Sequence, residues 1–141
     1  MQDRPSHDEL LAAVERFLDA EIIPNSEGAR RFHARVSSNV IRIVRRELEH
    51  EDQHLAAEWA GLDGLLGRQE PPSGRATLGK AIQARNAELC ERIRRGDSDA
   101  GPYRAQLLEH VRRTVRNKLQ VSDPNWLQRS QADRPADTQP T

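Results

Sequence analysis

The chain has 141 residues, of which 31% are charged and only 4% aromatic. That leaves room for one modest domain and too little aromatic surface for a large substrate cavity. Lys and Arg together number 22, as do Asp and Glu, so no global field draws the protein to nucleic acid or a membrane surface, and any such affinity has to come from a local patch.

The opening Met1-Gln-Asp-Arg-Pro5 has no apolar h-region, and no apolar run reaches the length of a bilayer. The single cysteine, Cys90, excludes an internal disulfide. Together these point to a cytoplasmic protein with no membrane segment.

Ser6 followed by Glu9 has capping-box spacing and opens a first helix carrying Leu10, Leu11, Val14, Phe17, Leu18 and Ile22, which Pro24 ends. After a turn through Asn25 and Gly28, a second helix runs to about His50 with Phe32, Val36, Val40, Ile43, Val44 and Leu48 on one face. A short third helix spans about Leu55 to Leu66 with Trp59, Leu62 and Leu65, and the breaker cluster Pro71-Pro-Ser-Gly74 follows as a loop. The fourth helix, Ala76 to Arg95, presents Leu78, Ile82, Leu89 and Ile93 and ends at Gly96 as its C-cap. The last carries Leu107, Leu108, Val111, Val115 and Leu119 and is closed by Pro124. Beyond about Gln128 the polar tail lacks apolar periodicity and is expected to be disordered. The expectation is therefore all-α: an irregular four- to five-helix bundle, one domain over residues 1–127, and a disordered C-terminal tail over 128–141.

Projected at about 100° per residue, His33 and Glu47 fall inside the apolar arc of the second helix, and Asn39 sits at its edge. Glu21 lies among Leu10, Val14 and Leu18, Asn86 among Ile82 and Leu89, and Lys118 beside Val111. If these groups converge they form a buried polar network, with Lys118 meeting Glu47 or Glu21 because a buried charge needs a partner. The alternatives are residues that fix helix register or sit with their heads in water, a surface whose pairing is completed by another protein, or an active site.

Arg31, Arg35, Arg42 and Arg46 line one side of the second helix, a local basic stripe suited to a phosphate or an acidic partner, or else a solvated face. Glu47-Leu-Glu-His50 and Glu51-Asp-Gln-His54 each have Glu-x-x-His spacing, but di-iron bundles place such motifs on two facing helices with two further glutamates, so no metal is expected. Cys90 lies on the apolar side of the fourth helix and is expected to pack as a small hydrophobe. The sequence contains no glycine-rich phosphate loop, no nucleophile elbow and no zinc-type cysteine pair. The expectation is a protein that is not itself an enzyme and holds no cofactor.

Asn39, Val44 and Arg46-Glu47-Leu48, together with Val115-Arg-Asn-Lys118-Leu119-Gln-Val121 and Asp123-Pro124-Asn-Trp126-Leu127, resemble a family of small uncharacterised bacterial helical proteins. The opening helix, Pro5-Ser to Ile23-Pro24, is similar to that family's first helix, so the resemblance spans about Pro5 to Leu127. Members are typically encoded beside an aminoglycoside-phosphotransferase-like kinase and an acyl-CoA dehydrogenase. The resemblance implies a non-catalytic accessory subunit of that kinase, which phosphorylates a short-chain 4-hydroxyacyl-CoA. The competing expectation is a standalone helical binding module for an acyl-CoA or nucleotide, or a structural homodimer.

Overall fold

The computed structural model describes residues 4–132, with side chains as far as Ser130. Among them are five α-helices and no strand: α1 (His7–Phe17, continued by a π-helical turn, Leu18–Ile22), α2 (Gly28–Leu66), α3 (Arg75–Arg94), α4 (Gly101–Ser122) and α5 (Pro124–Ala132). The fold is all-α, as the periodicity requires. No helix among the described residues is long and apolar enough to cross a membrane.

The single domain expected over residues 1–127 resolves into two compact units, Met1–Glu49 and His50–Thr141. The second and third predicted helices are one element, α2, 39 residues long, or about 58 Å at 1.5 Å per residue. Its predicted break falls on Glu51-Asp-Gln-His54, which is charged but contains no Gly or Pro, so nothing interrupts the backbone ladder. α5 carries helix through Ala132, over the first part of the stretch expected as tail; the rest of that stretch, residues 133–141, lies outside the described residues.

In unit 1, the Ser6 hydroxyl accepts from the Glu9 backbone N–H at 3.2 Å, and the Glu9 carboxylate accepts from the Ser6 N–H at 2.7 Å, which completes the capping box. α1 then runs antiparallel to the first half of α2, and polar groups hold the pair. Arg42 donates to Glu15 at 2.8 Å and also to Asp19. Arg45 donates to Asp8 at 2.7 Å and to Glu15 at 2.6 Å. The fully buried Ser38 hydroxyl donates to Asp19 at 2.7 Å. Burial alone would raise the Glu15 carboxyl, but hydrogen bonds from Arg45 and Arg42 outweigh it and hold the group below the ordinary glutamate range. Among the described residues of this unit, Ala34 is the only hydrophobic one that is buried.

Unit 2 is built differently. Trp59, Leu62 and Leu65 of α2, Ile82 and Leu89 of α3, and Leu107 of α4 form one buried apolar cluster, flanked by Leu55, Leu66, Leu78, Ala81 and Tyr103. Each such side chain removed from water contributes about 1.5–3 kcal/mol. Gly67, at φ +96°, stops α2, its N–H reaching the Asp63 carbonyl at 3.1 Å. Gly96 does the same for α3 in a Schellman motif: the Gly96 N–H donates to the Ile93 carbonyl at 3.0 Å and the Asp97 N–H to that of Arg92 at 3.2 Å. Asp123 closes α4 and opens α5. Its carboxylate accepts from the Trp126 N–H at 3.1 Å, and Pro124, which has no N–H to leave unpaired, takes the first helical position.

Candidate functional site

Unit 2 carries the polar groups that its core does not absorb. Asn86, Leu89, Cys90 and Ile93 recur at helical spacing on α3, and His110, Val111, Thr114, Val115 and Lys118 do so on α4. With Glu58 of α2 they line a pocket of about 280 Å³. Its walls are aliphatic. At one side the Asn86 amide donates to the Glu58 carboxylate at 2.8 Å, while the exposed Lys118 brings an ammonium to the lining.

His110 is 4% exposed, and its Nδ1 has no hydrogen-bond partner. Burial pushes its pKa below the ordinary 6.5, the Glu58 carboxylate opposes that shift and the Arg113 guanidinium adds to it. The imidazole is therefore uncharged at neutral pH. Gly61 of α2 makes the close approach possible, since a Cβ there would stand 2.2 Å from the His110 Nδ1. A pocket with apolar walls, one amide–carboxylate pair and one ammonium suits the apolar end of a ligand or of a partner's side chain, held by a few polar contacts.

A second cleft, about 390 Å³, lies between α4 and α5, lined by Val111, Arg112, Val115, Arg116, Leu119, Trp126, Leu127 and Ser130. Val111 and Val115 belong to both hollows, so one row on α4 serves the two. Trp126 is 48% exposed, with two guanidinium groups in the same lining.

The expected buried polar network does not form. Glu21, His33, Asn39 and Glu47 in unit 1 are exposed, as is Lys118 in unit 2, and Asn86 is half-buried against Glu58. The helical projection was right about the arc but not about its fate: in unit 1 that arc is turned to solvent, so its polar members need no buried partner. Glu21 contributes its backbone carbonyl, which accepts from the Asn25 amide at 2.8 Å. The ring of His33 meets the edge of Phe32 with centroids 5.5 Å apart.

The arginine stripe is also divided. Arg31 and Arg35 are exposed and Arg46 is half-buried, but Arg42 is committed to the carboxylates of α1. Arg45, absent from the predicted stripe, is its companion there. Cys90 is exposed rather than packed. No group of three or more His, Cys, Asp or Glu side chains among the described residues could hold a metal ion. His50 and His54 stack at 5.4 Å, and Glu51 pairs with Arg75 at 2.9 Å.

Sequence reasoning missed Arg85, the one charged side chain buried among the described residues. It is 5% exposed, donates to the Asp63 carboxylate at 2.6 Å and to the Gly67 carbonyl at 2.7 Å, and stacks 4.5 Å over the Trp59 ring. It holds the Asp63 carboxyl below the usual aspartate range. A signal was present, because Arg85 stands three residues after Ile82 and four before Leu89, on the same arc as Asn86.

No curated protein and no solved structure matches the chain. Residues 24–126, most of the sequence and the greater part of both units, match a family described as a domain of unknown function, DUF6285, and the chain belongs to that family.

Proposed function

We propose that this chain is a non-catalytic accessory subunit of a phosphotransferase-like kinase that acts on a short-chain hydroxyacyl-CoA. The observation that carries the reading is apolar surface left uncovered. Among the described residues thirteen large hydrophobic side chains are exposed, from Leu10 to Trp126, against eight hydrophobic residues buried in the core. Scattered apolar residues are normal on a surface, whereas rows at helical spacing mark faces that another protein covers. The identity of that protein comes from the family resemblance set out above. On this reading the pair works in the cytoplasm, where ATP and acyl-CoA esters occur.

The α4–α5 cleft is the contact we assign to the kinase. A half-exposed tryptophan with two arginines beside it has the composition of interface anchors, which are enriched in Trp, Tyr and Arg. Arg112 and Arg116 are further suited to a carboxylate on the kinase or a phosphate of the coenzyme. Arg31 and Arg35, the outward members of the predicted stripe, are suited to the same chemistry.

Co-expression with the phosphotransferase-like kinase, size-exclusion chromatography and an ATP-dependent 4-hydroxyacyl-CoA phosphorylation assay test this. A stable complex with raised turnover is expected, and Trp126→Ala should weaken it by about thirtyfold, the size of a loss of about 2 kcal/mol at an anchor. Separate elution with unchanged turnover refutes the reading. The 280 Å³ pocket favours a second reading, a standalone acyl-CoA binder; calorimetric binding of acyl-CoA to the lone chain, lost on substitution of the exposed lining residue in Cys90→Glu, would support that one instead.

A further inference from the structure

The exposed apolar residues of α2 fall in one row at a strict four-residue spacing: Phe32, Val36, Val40, Val44 and Leu48, each between 41% and 63% exposed. The arc they occupy is turned away from the one that carries Ser38, Arg42 and Arg45 to α1. Two polar residues stand within it, His33 seven residues before Val40 and Glu47 seven after. Neither makes an ion pair among the described residues.

We infer that this row pairs with the same row of a second copy, antiparallel, about a two-fold axis through Val40. That axis sets Val40 beside Val40 of the second copy, Val36 beside its Val44 and Phe32 beside its Leu48. It also sets His33 beside Glu47 of the second copy, and Glu47 beside its His33. An isologous contact has to be self-complementary in this way. A parallel arrangement of the same faces would set Glu47 against Glu47, a like-charge contact that disfavours it. A row of i, i+4 side chains is also the ridge that interdigitates in the commonest helix packing of globular proteins.

The area fits a weak, reversible contact. The five residues of the row expose on the order of 300 Å² of apolar side chain. A homodimer interface is about 65% apolar, so the row matches a face of about 450 Å² per partner, at the low end of specific interfaces. The inference does not depend on the kinase, and the surface it uses lies in unit 1, leaving the α4–α5 cleft to another protein.

Sedimentation equilibrium of the full chain alone tests it. A reversible dimer is expected. Val40→Arg should raise its dissociation constant at least about tenfold, because the axis brings the two guanidinium groups together; circular dichroism checks that this exposed position leaves the helices intact. His33→Glu should weaken the dimer, and His33→Glu with Glu47→Lys should restore it, since the pair is then reversed across the axis. In a Cys90→Ser background, Val40→Cys should oxidise to a cross-linked dimer. A monomer at all concentrations, or a dimer that Val40→Arg leaves unchanged, overturns the inference. A double reversal that fails to restore association overturns the antiparallel register.

Discussion

The two units place the same kind of residue in opposite situations. In unit 2, apolar side chains on α2, α3 and α4 converge, and even the charged Arg85 is drawn in, its two terminal nitrogens donating to Asp63 and Gly67 and its guanidinium lying over Trp59, with Nε left without a partner. In unit 1, the apolar rows of α1 and α2 face solvent, and the two helices meet through Arg42, Arg45 and Ser38 against Asp8, Glu15 and Asp19. Periodicity therefore says that a helix has an apolar face and says nothing about what covers it. Unit 2 covers most of its own and leaves Val111, Val115 and Trp126 to the α4–α5 cleft, whereas unit 1 presents nearly all of it.

The sharpest test of that contrast compares leucines at equal helical spacing. Leu62 has no exposed area, while Leu10 is 50% exposed. Leu62→Ala removes a packed side chain and leaves a cavity, so it should cost about 3 kcal/mol in urea unfolding followed by circular dichroism. Leu10→Ala should stay within about 0.5 kcal/mol of the parent. Equal losses would mean that unit 1 buries its apolar row within the isolated chain, and the contrast would fail.

A finer comparison lies inside unit 2. Gly61 is pressed against His110, whereas a Cβ on Gly64, one turn along α2, meets nothing within 4 Å. Gly61→Ala should destabilise by about 2 kcal/mol, the usual cost of overpacking. Gly64→Ala should stabilise by about 0.5–1 kcal/mol through helix propensity. Opposite signs from one substitution in one helix would show that close packing of α2 on α4, and not helix propensity, fixes this side of the pocket.

Much of the fold was legible. Ser6 with Glu9, Gly96 and Pro124 marked their helix ends correctly, because capping and backbone restriction are local properties that a few residues carry by themselves. The candidate site was legible only in part. Asn86 and Lys118 do line the pocket, but the partners expected for Lys118, Glu47 or Glu21, are exposed in unit 1. Glu58 and His110 were passed over because pairing between helices depends on which faces meet, and single-helix projections do not contain that. Arg85 was overlooked for a related reason: a long charged side chain on an apolar arc looks like one that reaches for water, until Asp63 and Trp59 are seen to meet it.

The smallest expected effect separates the units by pH and salt. His110 in unit 2 is buried uncharged, its pKa below 6.5. Its contribution is therefore complete above the unfolded value of 6.5 and is lost as pH falls toward the lower folded value, because the unfolded chain takes up a proton that the folded one resists. In unit 1, Asp8 and Glu15 titrate below their ordinary 3.8 and 4.5 because arginines hold them ionised. Their contribution persists down to those values and is lost only below them. Between about pH 6.5 and 4.5, hydrogen exchange should quicken in α3 and α4 while residues 31–45 of α2 hold their protection, and His110→Gln should remove that first step. Added salt should do the reverse, loosening residues 31–45 while the α3 turns that carry the buried Ile82 and Leu89 keep their protection, because half-exposed pairs such as Arg42 with Glu15 are screened and contribute under about 1 kcal/mol, whereas apolar burial is not screened. If both regions answered pH and salt alike, the two would unfold as one body, and their different chemistry would be without consequence for stability.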